Sequence, residues 1–99
     1  MQVQTEPVAN FRASTTAGKP PLTVQFQDKS AGTYEKCTWD FGDGAPAEEG
    51  ESPTHTYRHV GRFTVTMTAS GAAGSDTIVK KDLVVVEPYL SYVPGVLAQ

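Results

Sequence analysis

One cysteine, Cys37, stands among 99 residues. A single thiol cannot close an internal disulfide, so the fold stands without one. No apolar run approaches the roughly 18 residues that mark a membrane-spanning helix. Met1 leads directly into the polar Gln2-Val3-Gln4-Thr5-Glu6, which lacks the apolar core of a secretory leader. The eight Lys and Arg residues are scattered along a chain of net charge −3. Phosphate backbones are held by clustered cations, so nucleic acid is not the expected partner. Helical periodicity is missing as well. No window repeats apolar residues at 3.6 spacing, and nine glycines and seven prolines interrupt the chain.

Period two is present instead. The 12 threonines fall largely in runs such as Phe63-Thr64-Val65-Thr66-Met67-Thr68, and β-branched residues suit a pleated, half-buried surface. The pattern predicts a strand over residues 7–14, with Ala9, Phe11 and Ala13 on one face, and a second over 22–30. There Leu22, Val24 and Phe26 oppose Thr23, Gln25, Gln27 and Lys29. Residues 15–21, with Gly18, Pro20 and Pro21, read as a turn. A third strand covers 36–41, with Cys37, Trp39 and Phe41 inward, which makes Cys37 a small buried hydrophobe rather than a reactive thiol. Gly42-Asp43-Gly44 ends it. The acidic stretch 45–53 reads as a loop, with room for a short edge strand, residues 54–57 as a short strand, and 62–70 as the clearest strand, with Phe63, Val65 and Met67 inward. Gly71-Ala72-Ala73-Gly74 makes a hairpin loop. The last strand, about 76–87, is expected to kink at Lys80-Lys81-Asp82, turning Leu83 and Val85 to the core and leaving Val84 and Val86 for an adjacent domain. Length and pattern fit one all-β domain, a sandwich of two antiparallel sheets with about seven strands.

The block Trp39-Asp40-Phe41-Gly42-Asp43-Gly44 resembles the signature of PKD domains, the Ig-like repeats named after polycystic kidney disease protein. Further blocks match in order: Pro7-Val8-Ala9-Asn10-Phe11, Pro21-Leu22-Thr23-Val24-Gln25-Phe26, Pro53-Thr54-His55-Thr56-Tyr57, Gly61-Arg62-Phe63-Thr64-Val65-Thr66 and Gly74-Ser75-Asp76-Thr77. The resemblance implies an Ig-like sandwich over residues 7–87, an N-terminal extension over 1–6 and a linker or tail over 88–99. It implies a non-catalytic extracellular module of a microbial surface or secreted protein, a spacer or interaction domain. Its partners would be neighbouring domains of the same chain, tandem PKD repeats among them, or a protein or polysaccharide ligand, with no direct membrane insertion. The alternative is an accessory domain presenting substrate to a secreted hydrolase such as a protease or chitinase.

The signature itself reads as folding chemistry. Trp39 and Phe41 fill the core, Asp40 points outward to hold the turn, Tyr57 suits a buried ring with a hydroxyl bonded to backbone, and Gly61 permits a tight turn before Phe63. His55 and His59, with Ser52 and Asp40, are the raw material for a catalytic triad, but no Gly-x-Ser-x-Gly elbow accompanies them. Some PKD-like modules of secreted enzymes bind calcium, and the candidate ligands here are Asp40 and Asp43, with Glu48, Glu49 and Glu51 nearby. No other cofactor is expected, and one Cys with two His is no zinc set. Tyr34, in a loop, and Tyr89 and Tyr92, in the tail, are the aromatics left for a sugar platform.

Overall fold

The computed structural model describes residues 5–87. The residues of the tail, Tyr89 and Tyr92 included, lie outside it. Among the described residues there are eight strands and no helix: β1 (Phe11–Ala13), β2 (Ala17–Gly18), β3 (Leu22–Asp28), β4 (Lys36–Asp40), β5 (Glu48–Glu49), β6 (Thr54–Tyr57), β7 (Gly61–Gly71) and β8 (Gly74–Val86). They form a three-stranded sheet, β1-β3-β6, and a five-stranded sheet, β2-β8-β7-β4-β5. Together they make the Ig-like sandwich.

Alternation decides which side chains meet between the layers. Val24 and Phe26 point inward from β3, Cys37 and Trp39 from β4, and Val65, Met67 and Ala69 from β7. Trp39 crosses from the five-stranded layer to meet Phe11 edge-on, with centroids 5.0 Å apart, and Phe26 at 5.6 Å. A buried indole needs a partner for its N–H, and Trp39 Nε1 donates to the Gly50 carbonyl at 2.7 Å.

The two flanks of the sandwich close differently. On one, the chain changes sheets. Gly50 N–H donates to Cys37 O of the five-stranded layer, after which Glu51 O and Pro53 O accept from Asp28 and Phe26 of the three-stranded layer. On the other, β8 reaches across with side chains. Asp76 Oδ2 accepts the Ala9 N–H at 2.8 Å, and Lys80 Nζ donates to Phe11 O at 2.6 Å while lying 4.5 Å from the Phe11 ring centroid. Lys80 faces the core and buries its stem, with its charge held by a carbonyl and a π-face.

Two sequence expectations are corrected. Val84 and Val86 are buried, at 0% and 2% exposure, whereas Leu83 and Val85 are only half-buried. The kink exists, but Val65 pairs with Lys80 and Phe63 with Val84, so Lys81, Asp82 and Leu83 stand opposite Thr64 alone. Asp82 takes a φ of 49°, and its N–H is caught by Thr64 Oγ1 at 3.1 Å. The bulge therefore inserts an even number of residues. Parity survives it, and even-numbered positions face inward on both sides. Val84 and Val86 are thus unavailable to an adjacent domain. The expected turn over 15–21 also contains β2, which runs parallel to β8 through Ala17↔Val85 and Gly18↔Val86; the other pairings are antiparallel.

Candidate functional site

The signature residues converge where β4 ends beside β6 and the start of β7. Asp40 Oδ1 accepts the Gly42 N–H at 3.0 Å, which bends the chain out of β4. Gly42 has a φ of +83°, and a Cβ there would stand 2.2 Å from Thr64 O, so only glycine fits. Asp43 follows with both carboxylate oxygens engaged. Oδ1 accepts the Ala45 N–H at 3.1 Å, and Oδ2 lies 2.6 Å from His55 Nε2. The His55 ring stacks on Phe41, centroids 4.3 Å apart, and meets Tyr57 edge-on at 4.7 Å. The Tyr57 hydroxyl donates to Phe41 O at 2.9 Å, and its ring stacks on Phe63 at 4.8 Å. Hydrogen bonds and ring contacts run without a break from Asp43 through His55 and Tyr57 to Phe63.

The electrostatics follow from burial. Desolvation pushes the Asp43 carboxyl up, but the hydrogen bond to His55 and the Ala45 N–H outweigh it and hold it below its ordinary value. Burial raises the Tyr57 phenol far above its usual range, and the charges of Asp43 and Asp40 add to the effect. A carboxylate paired with imidazole is half of a general-base device, but among the described residues no nucleophile is bonded to it. Asp40 serves its own turn, Ser52 lines a groove on the outer side of the three-stranded sheet, and His59 is exposed between β6 and β7. The residues that sequence reasoning grouped as triad material do not meet. The Asp43–His55 pair escaped that reasoning, because nothing in a strand's alternation announces a partner 12 positions away.

A second cleft, of about 430 Å³, opens beside β4 between Tyr34, Cys37 and the Glu49–Glu51 segment. Tyr34 is half-buried rather than exposed. Its hydroxyl donates to Asp28 Oδ2 at 2.6 Å, and that bond, ahead of burial and the Asp28 charge, pushes the phenol up to about 12. Burial first, then the hydrogen bond with Asp28, pushes the Cys37 thiol up to about 12, which keeps it protonated and unreactive. Lys36 spans the rim to Glu49 at 3.7 Å. Among the described residues no three His, Cys, Asp or Glu side chains gather as a metal-ligand set.

Comparison with known proteins adds context to this geometry. A family model described as PKD domain matches residues 4–86. Polycystin-1-like protein 1 of Homo sapiens is 32% identical over 89 residues, which is 89% of this chain and 3% of that protein. The Mus musculus protein of the same name matches at 32% over the same length, so the chain spans about 3% of the length of these relatives. Among solved structures, the PKD1 domain of Vibrio anguillarum Epp is similar, with a TM-score of 0.69 and 27% identity, covering 86% of this chain and 100% of that one. The PKD1 domain from Vibrio cholerae metalloprotease PrtV gives a TM-score of 0.69 and 29% identity, covering 84% of this chain and 99% of that one.

Proposed function

The chain belongs to the PKD-domain family, and from that premise we propose that it is a non-catalytic structural and adhesion module of a larger cell-surface or secreted protein. Its signature side chains are committed to core and turn, which supports a role carried by the body of the domain rather than by a reactive centre. The observation that carries the spacer reading is the parallel pairing of β2 with β8. Val85 N–H donates to Thr16 O at 2.8 Å and Glu87 N–H to Gly18 O at 2.9 Å, at the last of the described residues. Tension between the two ends pulls parallel neighbours in opposite directions. The ladder is then loaded in shear, with its bonds sharing the force. Tandem PKD repeats of the same chain are the neighbours this arrangement suits.

Single-molecule pulling on a polyprotein of this domain tests the reading. The expected trace shows discrete unfolding peaks well above the featureless extension of a flexible linker; a trace without peaks refutes it. A second reading, an accessory domain of a secreted hydrolase, draws support from the likeness to a PKD1 domain of a metalloprotease. The flanking sequence separates the two: further repeats favour the spacer, and a catalytic domain favours the accessory role.

A further inference from the structure

We propose that the outward face of the three-stranded sheet binds acidic polysaccharide, on a plane of cations, amides and hydroxyls centred on Arg12 and Gln27. Alternation and register build this plane. Arg12 of β1 stands opposite Gln27 of β3, Gln25 opposite Thr54 of β6, and Thr23 opposite Thr56. The bonds Phe26 N–H to Pro53 O and Asp28 N–H to Glu51 O bracket Gln27 and bring Ser52 beside it. Arg12, Ser14, Gln25, Gln27 and Ser52 line a groove of about 280 Å³. Lys29 continues the outward parity of β3 past its end, where its N–H reaches Asn10 O, and Arg58 continues that of β6.

None of the residues that β1, β3 and β6 turn outward is acidic, although the whole chain carries a net charge of −3. Asp28 of β3 turns inward to Tyr34, Asp40 and Glu49 belong to the other sheet, and Glu51 lines the other cleft. From Lys29 to Arg58 the cations span about 25 Å at ~3.3 Å per residue, the length of several sugar rings. A guanidinium grips carboxylate or sulfate with paired hydrogen bonds. Amides and hydroxyls both donate and accept, which matches the hydroxyls between the charges. The face has no aromatic side chain, so it offers no stacking platform to neutral sugars or to bases. Three cations over this length also fall far short of the charge density of a nucleic-acid duplex.

The inference supplies the ligand that the adhesive part of the proposed function leaves open, and the two fail separately, because the pulling experiment uses no ligand. Amide chemical shifts of the folded domain, titrated with oligogalacturonate, heparin oligosaccharide, dextran and oligothymidylate, test it. The two acidic sugars, one carboxylated and one sulfated, are expected to shift Arg12, Gln25, Gln27 and Ser52, and the stronger of the two names the anion. Binding should weaken on the order of tenfold for a fourfold rise in salt if three charges are neutralised. Arg12→Glu should weaken it at least tenfold, while Lys81→Glu, on the bulge of β8, leaves it unchanged. Equal response to dextran, tighter binding of oligothymidylate, shifts confined to the five-stranded face, indifference to Arg12→Glu, or no response to either acidic sugar would each overturn the proposal.

Discussion

Replacing Tyr57 with phenylalanine removes one oxygen atom from the centre of the signature cluster. The residue is fully buried, and its hydroxyl gives the Phe41 carbonyl a hydrogen bond of 2.9 Å. The ring remains, with its contacts to His55 and Phe63, so no large cavity opens. The loss is the cost of a buried carbonyl left without its donor, about 1–3 kcal/mol. For a domain of this size that lowers Tm by roughly 5–20 °C. Urea unfolding followed by the fluorescence of Trp39, the single tryptophan, reads it directly. A loss below about 0.5 kcal/mol would mean that the hydroxyl contributes nothing net and that the cluster is held by ring packing alone. The pH dependence gives an independent check. Burial raises the Tyr57 phenol above its unfolded value near 10. A neutral form favoured by folding contributes stability that is complete below about pH 10 and is lost as pH rises through the folded value. The variant lacks this contribution, so the gap between it and the parent should narrow above that pH. The raised Tyr34 phenol and Cys37 thiol leave an alkaline slope in both proteins.

Trp39→Ala empties the space between the sheets and orphans the Gly50 carbonyl, and a cost of about 3–5 kcal/mol is expected in thermal or urea melts; a near-neutral result would contradict the burial of the indole. Asp43→Asn keeps the shape of the turn but removes the charge facing His55. The Asp43 carboxyl is lowered in the folded state, so its contribution is present above the unfolded value of about 3.9 and lost as pH falls through the folded one. The variant should therefore be weaker by about 1 kcal/mol at neutral pH and equal to the parent in strong acid, as read by urea midpoints across that range.

Most of the architecture was legible because it rests on alternation. Leu22 to Asp28 and Lys36 to Asp40 announce their inner faces by residue type alone, and the turn glycines punctuate them. The inner face of β8 was misread at its far end for a specific reason. Lys80-Lys81-Asp82 shows that the strand breaks, but parity depends on how many residues the break inserts, and that number is set by pairing with Phe63 and Val65. β2 was illegible because two residues in a Gly- and Pro-rich stretch carry no period, and they become a strand only by lying beside Val85 and Val86. The signature turn was readable as a turn. Its anchorage through Asp43 and His55 was not, nor was the capture of Tyr34 by Asp28, because those pairings are made by the tertiary fold.

The side chains of Asp76 and Lys80 bear on what happens when near-identical domains are concatenated. An exposed strand templates its like, and a string of similar modules keeps many such strands at high local concentration, where exchanging elements between neighbours is a standing hazard. On this flank the Ala9 N–H and the Phe11 carbonyl are already occupied by a carboxylate and an ammonium from β8 of the same chain. An intruding strand would have to displace both and leave two charges unpaired. In such a string these two side chains would oppose strand exchange and favour independent folding of each unit.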